Sequence, residues 1–311
     1  MVPYPLGSND GEIEFVIENG QSFNATARLL SENNLVIGKL PFVMYSVLTG
    51  NDKTHQAGSY LLKQPLSIYS LSKMFSKGLS VNNDLQVTIP EGSNLSDVSE
   101  ILEKVGILRE PGEFVKYAAS EFVEGYLFPD TYRFHDCLNQ LEDCGYEPQE
   151  IISMMLGNFK NKTEFILAGL DPEKTKEAII IASMLEKEVR SAKDMRLVSG
   201  IIRRRIKIGM PLQIDATVAY GACYDIFLKK KNCNTSHANI VDNIKIDSVY
   251  NTYTRLGLPE GPISNPGMTA IGAALNPEAS EYLFYLSAKD GTTIFSKTSS
   301  EHEENRIKYL R

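Results

Sequence analysis

IIIASMLEKEVRSA, residues 179–192, is the stretch on which the reading of this chain turns. An unbroken apolar run is followed by Glu186, Lys187 and Glu188, so a buried helix meets water or a cleft at its end. Upstream, Asp171-Pro172 supplies an N-cap followed by proline at the first helical position, which predicts where that helix opens. Downstream, Ser191 and Asp194 offer caps for a second helix ending near Gly209. Successive helical residues turn by about 100°, so Glu186 and Glu188 are expected to point about 200° apart, with one of them at most lining a given cleft. Helical geometry sets Glu186 beside Ala182 and Ser183, and Glu188 beside Met184 and Leu185, and does not choose between them. An apolar turn beside a carboxyl disfavours its charged form and raises its pKa toward the range of a general acid. An arbitrary Glu-Lys-Glu at a helix end is more often exposed and balanced by cations such as Lys187, Arg190 and Lys193.

The rest of the chain sets bounds on this choice. Its 311 residues, 42% hydrophobic and 23% charged, are those of a folded protein long enough for two domains. A net charge of −7 leaves no broad basic surface, so nucleic acid is not an expected partner. Arg203, Arg204 and Arg205, interleaved with isoleucines in IIRRRIKIG, read as a solvated helix face. No apolar run approaches the roughly 20 residues a membrane helix needs. Cys137, Cys144, Cys223 and Cys233 lack metal-ligand spacing; they permit one or two disulfides or free thiols. His55, His135, His237 and His302 are scattered, and neither a metal nor a cofactor is expected.

Before residue 112 the sequence repeats itself. At an offset of 72 residues, IEFVIENGQSFNATARLLSENNLV (13–36) matches LQVTIPEGSNLSDVSEILEKVGIL (85–108), with Gly20 on Gly92 and Leu30 on Leu102. Each copy alternates apolar residues (Ile13, Phe15, Ile17; Leu85, Val87, Ile89), turns at glycine, then adopts helical spacing. The expected fold class is α+β. Two related β/α units (12–80 and 83–112) fill 1–112, and a mainly helical domain with a C-terminal β-hairpin around Asp290-Gly291 fills 113–311.

Two loop-rich segments follow the glutamates. MPLQIDATVAYG (210–221) and VYNTYTRLGLPEGPISNPGMTAIGAALNP (249–277) combine amides, hydroxyls and aromatic rings with proline and glycine bends. Such loops suit sugar recognition, in which rings stack on pyranose faces and polar groups bond the hydroxyls. They are equally compatible with ordinary capped turns.

VEGYLFPDTY (123–132), IASMLEKE (181–188), GMPLQIDATVAYG (209–221), YNTYTRLGLPEGPISNPGMTAIGAALNP (250–277) and FSKTSSEHEENRIKY (295–309) together resemble the signature blocks of the YceG-like endolytic murein transglycosylases, the MltG family. The blocks stand in the family's order, and the N-terminal pair is similar to its LysM-like region. The resemblance departs at Ala216, where the family usually has proline. It implies cleavage of the β-1,4 bond between N-acetylmuramic acid and N-acetylglucosamine within glycan strands, leaving 1,6-anhydro ends and terminating strand elongation. It implies that the essential acid is Glu186. By motif position it implies sugar-binding or positioning roles for Gln213, Asp215, Thr217, Tyr220, Asn251, Tyr253 and Asn265, and for Glu124, Tyr126 and Asp130. It further implies peptidoglycan strands as partner, with cell-wall synthases as possible associates. The expected location is the outer side of the cytoplasmic membrane, reached through an N-terminal membrane helix that has no counterpart in these 311 residues. Two other readings stay open: a non-catalytic wall-binding scaffold, which needs no Glu186, and a hydrolase, which needs a second placed carboxylate such as Asp215.

Overall fold

The computed structural model describes residues 12–63, 67–78, 84–108, 110, 112–135, 146–227, 229, 233–235 and 240–310. It is a mixed α+β protein whose chain divides into two compact units, 1–87 with 132–145 and 88–131 with 146–311. The boundary expected at 112/113 falls inside the second of these.

In the first unit, β1 (Glu12–Ile17) pairs antiparallel with β2 (Gly58–Lys63), in a register that sets Phe15 opposite Tyr60 and Ile17 opposite Gly58. Between them run α1 (Phe23–Glu32) and α2 (Lys39–Thr49), and α3 (Ile68–Lys77) follows. The alternation in β1 sends Phe15 and Ile17 inward, where they join Leu30, Phe42, Tyr60, Leu62, Leu71 and Phe75 in one core. Phe75 is its hub, with ring centroids 5.7 Å from Phe15 and 4.7 Å from Tyr60.

The second copy of the repeat is β3 (Asp84–Thr88), then α4 (Leu95–Lys104) and α5 (Glu113–Ser120), then β4 (Thr131–His135), with β3 and β4 paired. Its first helix starts and ends 72 residues after α1, and Gly20 and Gly92 share a left-handed turn at φ 82° and 78°. Each copy thus runs strand, helix, helix, strand, whereas the local signal had given a strand and one helix.

The second unit is built on α7 (Pro172–Glu188), preceded by α6 (Pro148–Leu167) and followed by α8 (Ala192–Lys207). Asp171 caps α7 by accepting from the Lys174 N–H at 2.9 Å, and Ser191 caps α8 by accepting from Asp194 at 3.0 Å. Every residue from Ala178 to Leu185 is buried, so this part of α7 is covered all round rather than along one stripe. It packs against α8, α9 (Asp215–Phe227) and α11 (Met268–Leu275), with the one-turn α10 (Ile240–Asn243) lying against α9. The chain closes with the antiparallel strands β5 (Phe284–Ser287) and β6 (Thr293–Ser296) and with α12 (Ser299–Leu310). A disulfide joins Cys223 of α9 to Cys233; Cys137 and Cys144 lie outside the described residues. Among the described residues no helix is long and apolar enough to cross a membrane.

Candidate functional site

The apolar run of α7 ends at a groove of about 1200 Å³ in the second unit. Glu186 stands on its wall and is partly buried, its Oε2 accepting the Gly267 N–H at 3.0 Å. Burial pushes this carboxyl above its ordinary value. The Gly267 N–H and the Lys187 charge pull it back, and the charge of Glu91 adds to the rise. The lysine between the glutamates is tied down too, its Nζ donating to the Gly92 carbonyl at 3.1 Å.

Glu188 lines the same groove, which corrects the expectation that one glutamate at most could do so. The 200° argument holds for a cleft running along a helix. Here α7 stops at Glu188, Val189 is extended (φ −143°, ψ 153°), and the groove wraps around the helix end. Burial pushes the Glu188 carboxyl up to about 7, against a hydrogen bond from Tyr285, and the Asp215 charge adds to the rise. Tyr253 reaches Asp215 at the start of α9, its hydroxyl donating to Oδ1 at 2.6 Å.

Two more groups escaped sequence reasoning. Arg205, expected on a solvated face, is 6% exposed. It donates to the carbonyls of Leu212 (2.6 Å) and Leu283 (2.7 Å) and lies 5.1 Å over the Phe284 ring, fixing both the loop before Gln213 and the entry to β5. Arg203, by contrast, pairs with Glu177 on α7. Three arginines in a row give no sign of which one turns inward. Glu91 lies against Gly267, where a Cβ would stand 1.7 Å from its Oε1, so any side chain at 267 would displace the Glu91 carboxylate. A signal for Glu91 did exist, since the first copy of the repeat has Asn19 at that place.

Of the residues implied by the resemblance, Glu186, Gln213, Asp215 and Tyr253 line the groove. Gln213 holds φ 52°, a left-handed conformation costing a non-glycine residue about 1 kcal/mol. The structure gives the others a different place. Thr217 is buried and donates to the Ile214 carbonyl at 2.6 Å. Asn251 is buried, with Nδ2 donating to the Ile246 carbonyl (2.7 Å) and Oδ1 accepting from the Tyr253 N–H (2.9 Å), so it holds the groove tyrosine from behind. Asp130 is bound by Asn158 and Lys162, and Tyr126 packs edge-on against Phe159.

Glu124, Tyr220 and Asn265 form a buried knot. Glu124 accepts from the Tyr220 hydroxyl (2.9 Å), the Leu95 N–H (3.1 Å) and Asn265 Nδ2 (3.0 Å). Asn265 Oδ1 takes the N–H groups of Gly125 and Leu127, both at 2.9 Å. The Asn265 backbone completes the knot, accepting from Gly92 (2.9 Å) and donating to the Ser93 carbonyl (2.8 Å). Burial raises the Glu124 carboxyl to about 8. The knot therefore fixes the loop that carries Glu91 and Gly92 against Glu186 and Lys187.

Fold and groove together define a protein class: an α+β chain with a groove lined by carboxyls at the end of one buried helix. The chain belongs to the YceG-like family, whose model matches residues 15–308. It is similar to the endolytic murein transglycosylase of Bacillus subtilis strain 168, at 29% identity over 94% of this chain and 84% of that one. The protein of the same name from Streptococcus pneumoniae R6 is 24% identical; the match covers 98% of this chain but 60% of that relative. The crystal structure of a YceG-like protein from Listeria monocytogenes superposes with a TM-score of 0.57 at 25% identity, covering 94% of this chain and 98% of that one.

Proposed function

We propose that this chain is an endolytic murein transglycosylase, a lyase of peptidoglycan, and that Glu186 is its essential acid. Its relatives of that name span nearly the whole chain. The observation that carries the assignment of the acid is the setting of Glu186, a partly buried carboxyl with a raised pKa, oriented by one backbone N–H, on the wall of a groove of about 1200 Å³. In its neutral form it protonates the departing O4 of N-acetylglucosamine as the bond to muramic acid C1 breaks. The C6 hydroxyl of the same muramic acid closes on C1 and returns its proton to the carboxylate. The tethered hydroxyl replaces the water or nucleophilic carboxylate of other glycosidases. Gln213, Asp215 and Tyr253 bind sugar, while Asn251, Thr217, Tyr220, Asn265 and Glu124 hold the loops that present them.

The two strand–helix–helix–strand elements serve as LysM-like glycan-holding modules, and the enzyme works on the outer face of the cytoplasmic membrane beside cell-wall synthases. The Cys223–Cys233 disulfide fits an oxidising compartment of that kind.

Hydrolysis is a second reading with an observation in its favour, since Glu188 and Asp215 line the same groove. Digestion of purified peptidoglycan followed by mass spectrometry separates the two. Anhydro-ended fragments from the wild type and none from Glu186→Gln are expected. Reducing ends would assign a hydrolase, and loss of activity in Glu188→Gln but not in Glu186→Gln would move the acid by two residues.

A further inference from the structure

We infer that the outward face of α2 in the first unit is a docking surface for an anionic lipid bilayer. The inference rests on the first unit alone and is independent of the glycan reading. The helix reads KLPFVMYSVLT, and its two sides are both apolar. Phe42 and Ser46 face inward at 0% exposure, with the Ser46 hydroxyl 2.8 Å from that of Ser72. On the opposite side Leu40, Met44, Val47 and Leu48 are exposed by 72%, 60%, 54% and 82%, and Ile37, just before the helix, by 61%. These positions are spaced by three, four, three and one, so they form one continuous stripe down the helix. Single exposed apolar residues are ordinary on a protein surface, whereas an unbroken row over three turns is not.

Charge decides what covers the stripe. Residues 33–83 contain Lys39, Lys53, Lys63, Lys73 and Lys77 against a single acid, Asp52, in a chain whose net charge is −7. The stripe and α3 beside it therefore carry lysines and no acid, although residues 12–87 as a whole are neutral. Tyr45 of α2 packs edge-on against Tyr69 of α3 at 6.2 Å, Tyr69 is 48% exposed, and the Lys73 ammonium lies 5.6 Å above its ring. Buried protein–protein contacts are depleted of lysine. An apolar helix face flanked by lysine and tyrosine is instead the composition of a segment lying in the headgroup region. There the stripe enters the acyl boundary and the lysines reach lipid phosphates.

Flotation of the whole chain with vesicles of equal parts phosphatidylglycerol and phosphatidylcholine tests this. The wild type is expected to rise with those vesicles, to rise far less with phosphatidylcholine alone, and to be released by salt. The bound fraction should fall about tenfold in Leu40→Asp/Leu48→Asp and several-fold in Lys39→Glu/Lys73→Glu, with circular dichroism unchanged. Absence of the wild type from the anionic vesicles, or equal flotation of the leucine variant, would overturn the inference. A dimer in size-exclusion chromatography that the leucine variant breaks, with no vesicle binding, would give the face to a second copy of the chain.

Discussion

Gly20 and Gly92 hold the same turn in two copies of one element, and their surroundings differ. A Cβ on Gly20 would meet nothing within 4 Å, whereas one on Gly92 would lie 3.3 Å from Glu186 Cγ. The first turn closes on itself: Gln21 accepts from the Glu18 N–H at 3.2 Å and donates to Thr26 at 3.0 Å. The second is closed from outside, by Asn265 and Lys187. Local sequence sets the turn in both copies, and distant residues decide which of them becomes part of a site.

Asn265→Ala should break the comparison most severely. It strips partners from two backbone N–H groups, the Ser93 carbonyl and a buried carboxyl, at a cost of about 4 kcal/mol. Urea unfolding should report that loss and digestion of peptidoglycan should nearly cease. Gln21→Ala, the matched change in the exposed copy, should cost about 1 kcal/mol or less and leave digestion intact.

The pH dependence of stability sharpens the same contrast. Glu124 titrates at about 8 folded against 4.5 in its ordinary state, so the native protein holds the extra proton between those values. Its contribution is whole below about 4.5 and is lost as pH rises to about 8, by about 4 kcal/mol. Unfolding free energies at about pH 5 and about pH 8 should therefore differ in the wild type. In Glu124→Gln that difference should shrink, since the variant keeps one acceptor oxygen and does not titrate.

Gly92→Ala and Gly20→Ala both force alanine to positive φ, at about 1 kcal/mol each. They should part company in catalysis. Alanine at 92 must push the Glu186 side chain by a few tenths of an ångström, and digestion should slow roughly tenfold. Equal rates in the two variants would remove the second turn from the site.

Much of the fold was legible because its signals are local. Asp171-Pro172 and Ser191 mark helix starts through their own hydrogen bonds, and the repeat shows itself in a glycine, a cap and an alternating strand. The returning strands β2 and β4 were not legible, because pairing is chosen by contacts far along the chain. The same holds within the site. An acid after an apolar run could be seen, but that the groove bends round the end of α7 to include Glu188, or that Arg205 turns inward, depends on where loop 210–214 and strand β5 are carried. The knot of Glu124, Tyr220 and Asn265 spans more than 90 residues, and its members carry no mark that separates a sugar contact from a buried brace.

The smallest contrast lies in the caps, 72 residues apart. Ser22 accepts from the Ala25 N–H at 3.3 Å on an exposed turn, and its removal should cost about 0.5 kcal/mol. Asn94 is fully buried, accepts from Ser96 (2.9 Å) and Asp97 (3.0 Å), and donates to Thr235 at 3.1 Å. Asp97 accepts from its N–H in return, completing a capping box. Asn94→Ala should cost about 1.5 to 2 kcal/mol, because buried donors left open cost more than those water can reach. Thermal melts of the two single variants and of the pair decide the matter. Costs that add, with the larger share at Asn94, fit two helices of one design held in different surroundings. Equal costs would mean that the second loop draws its rigidity from Asn265 alone.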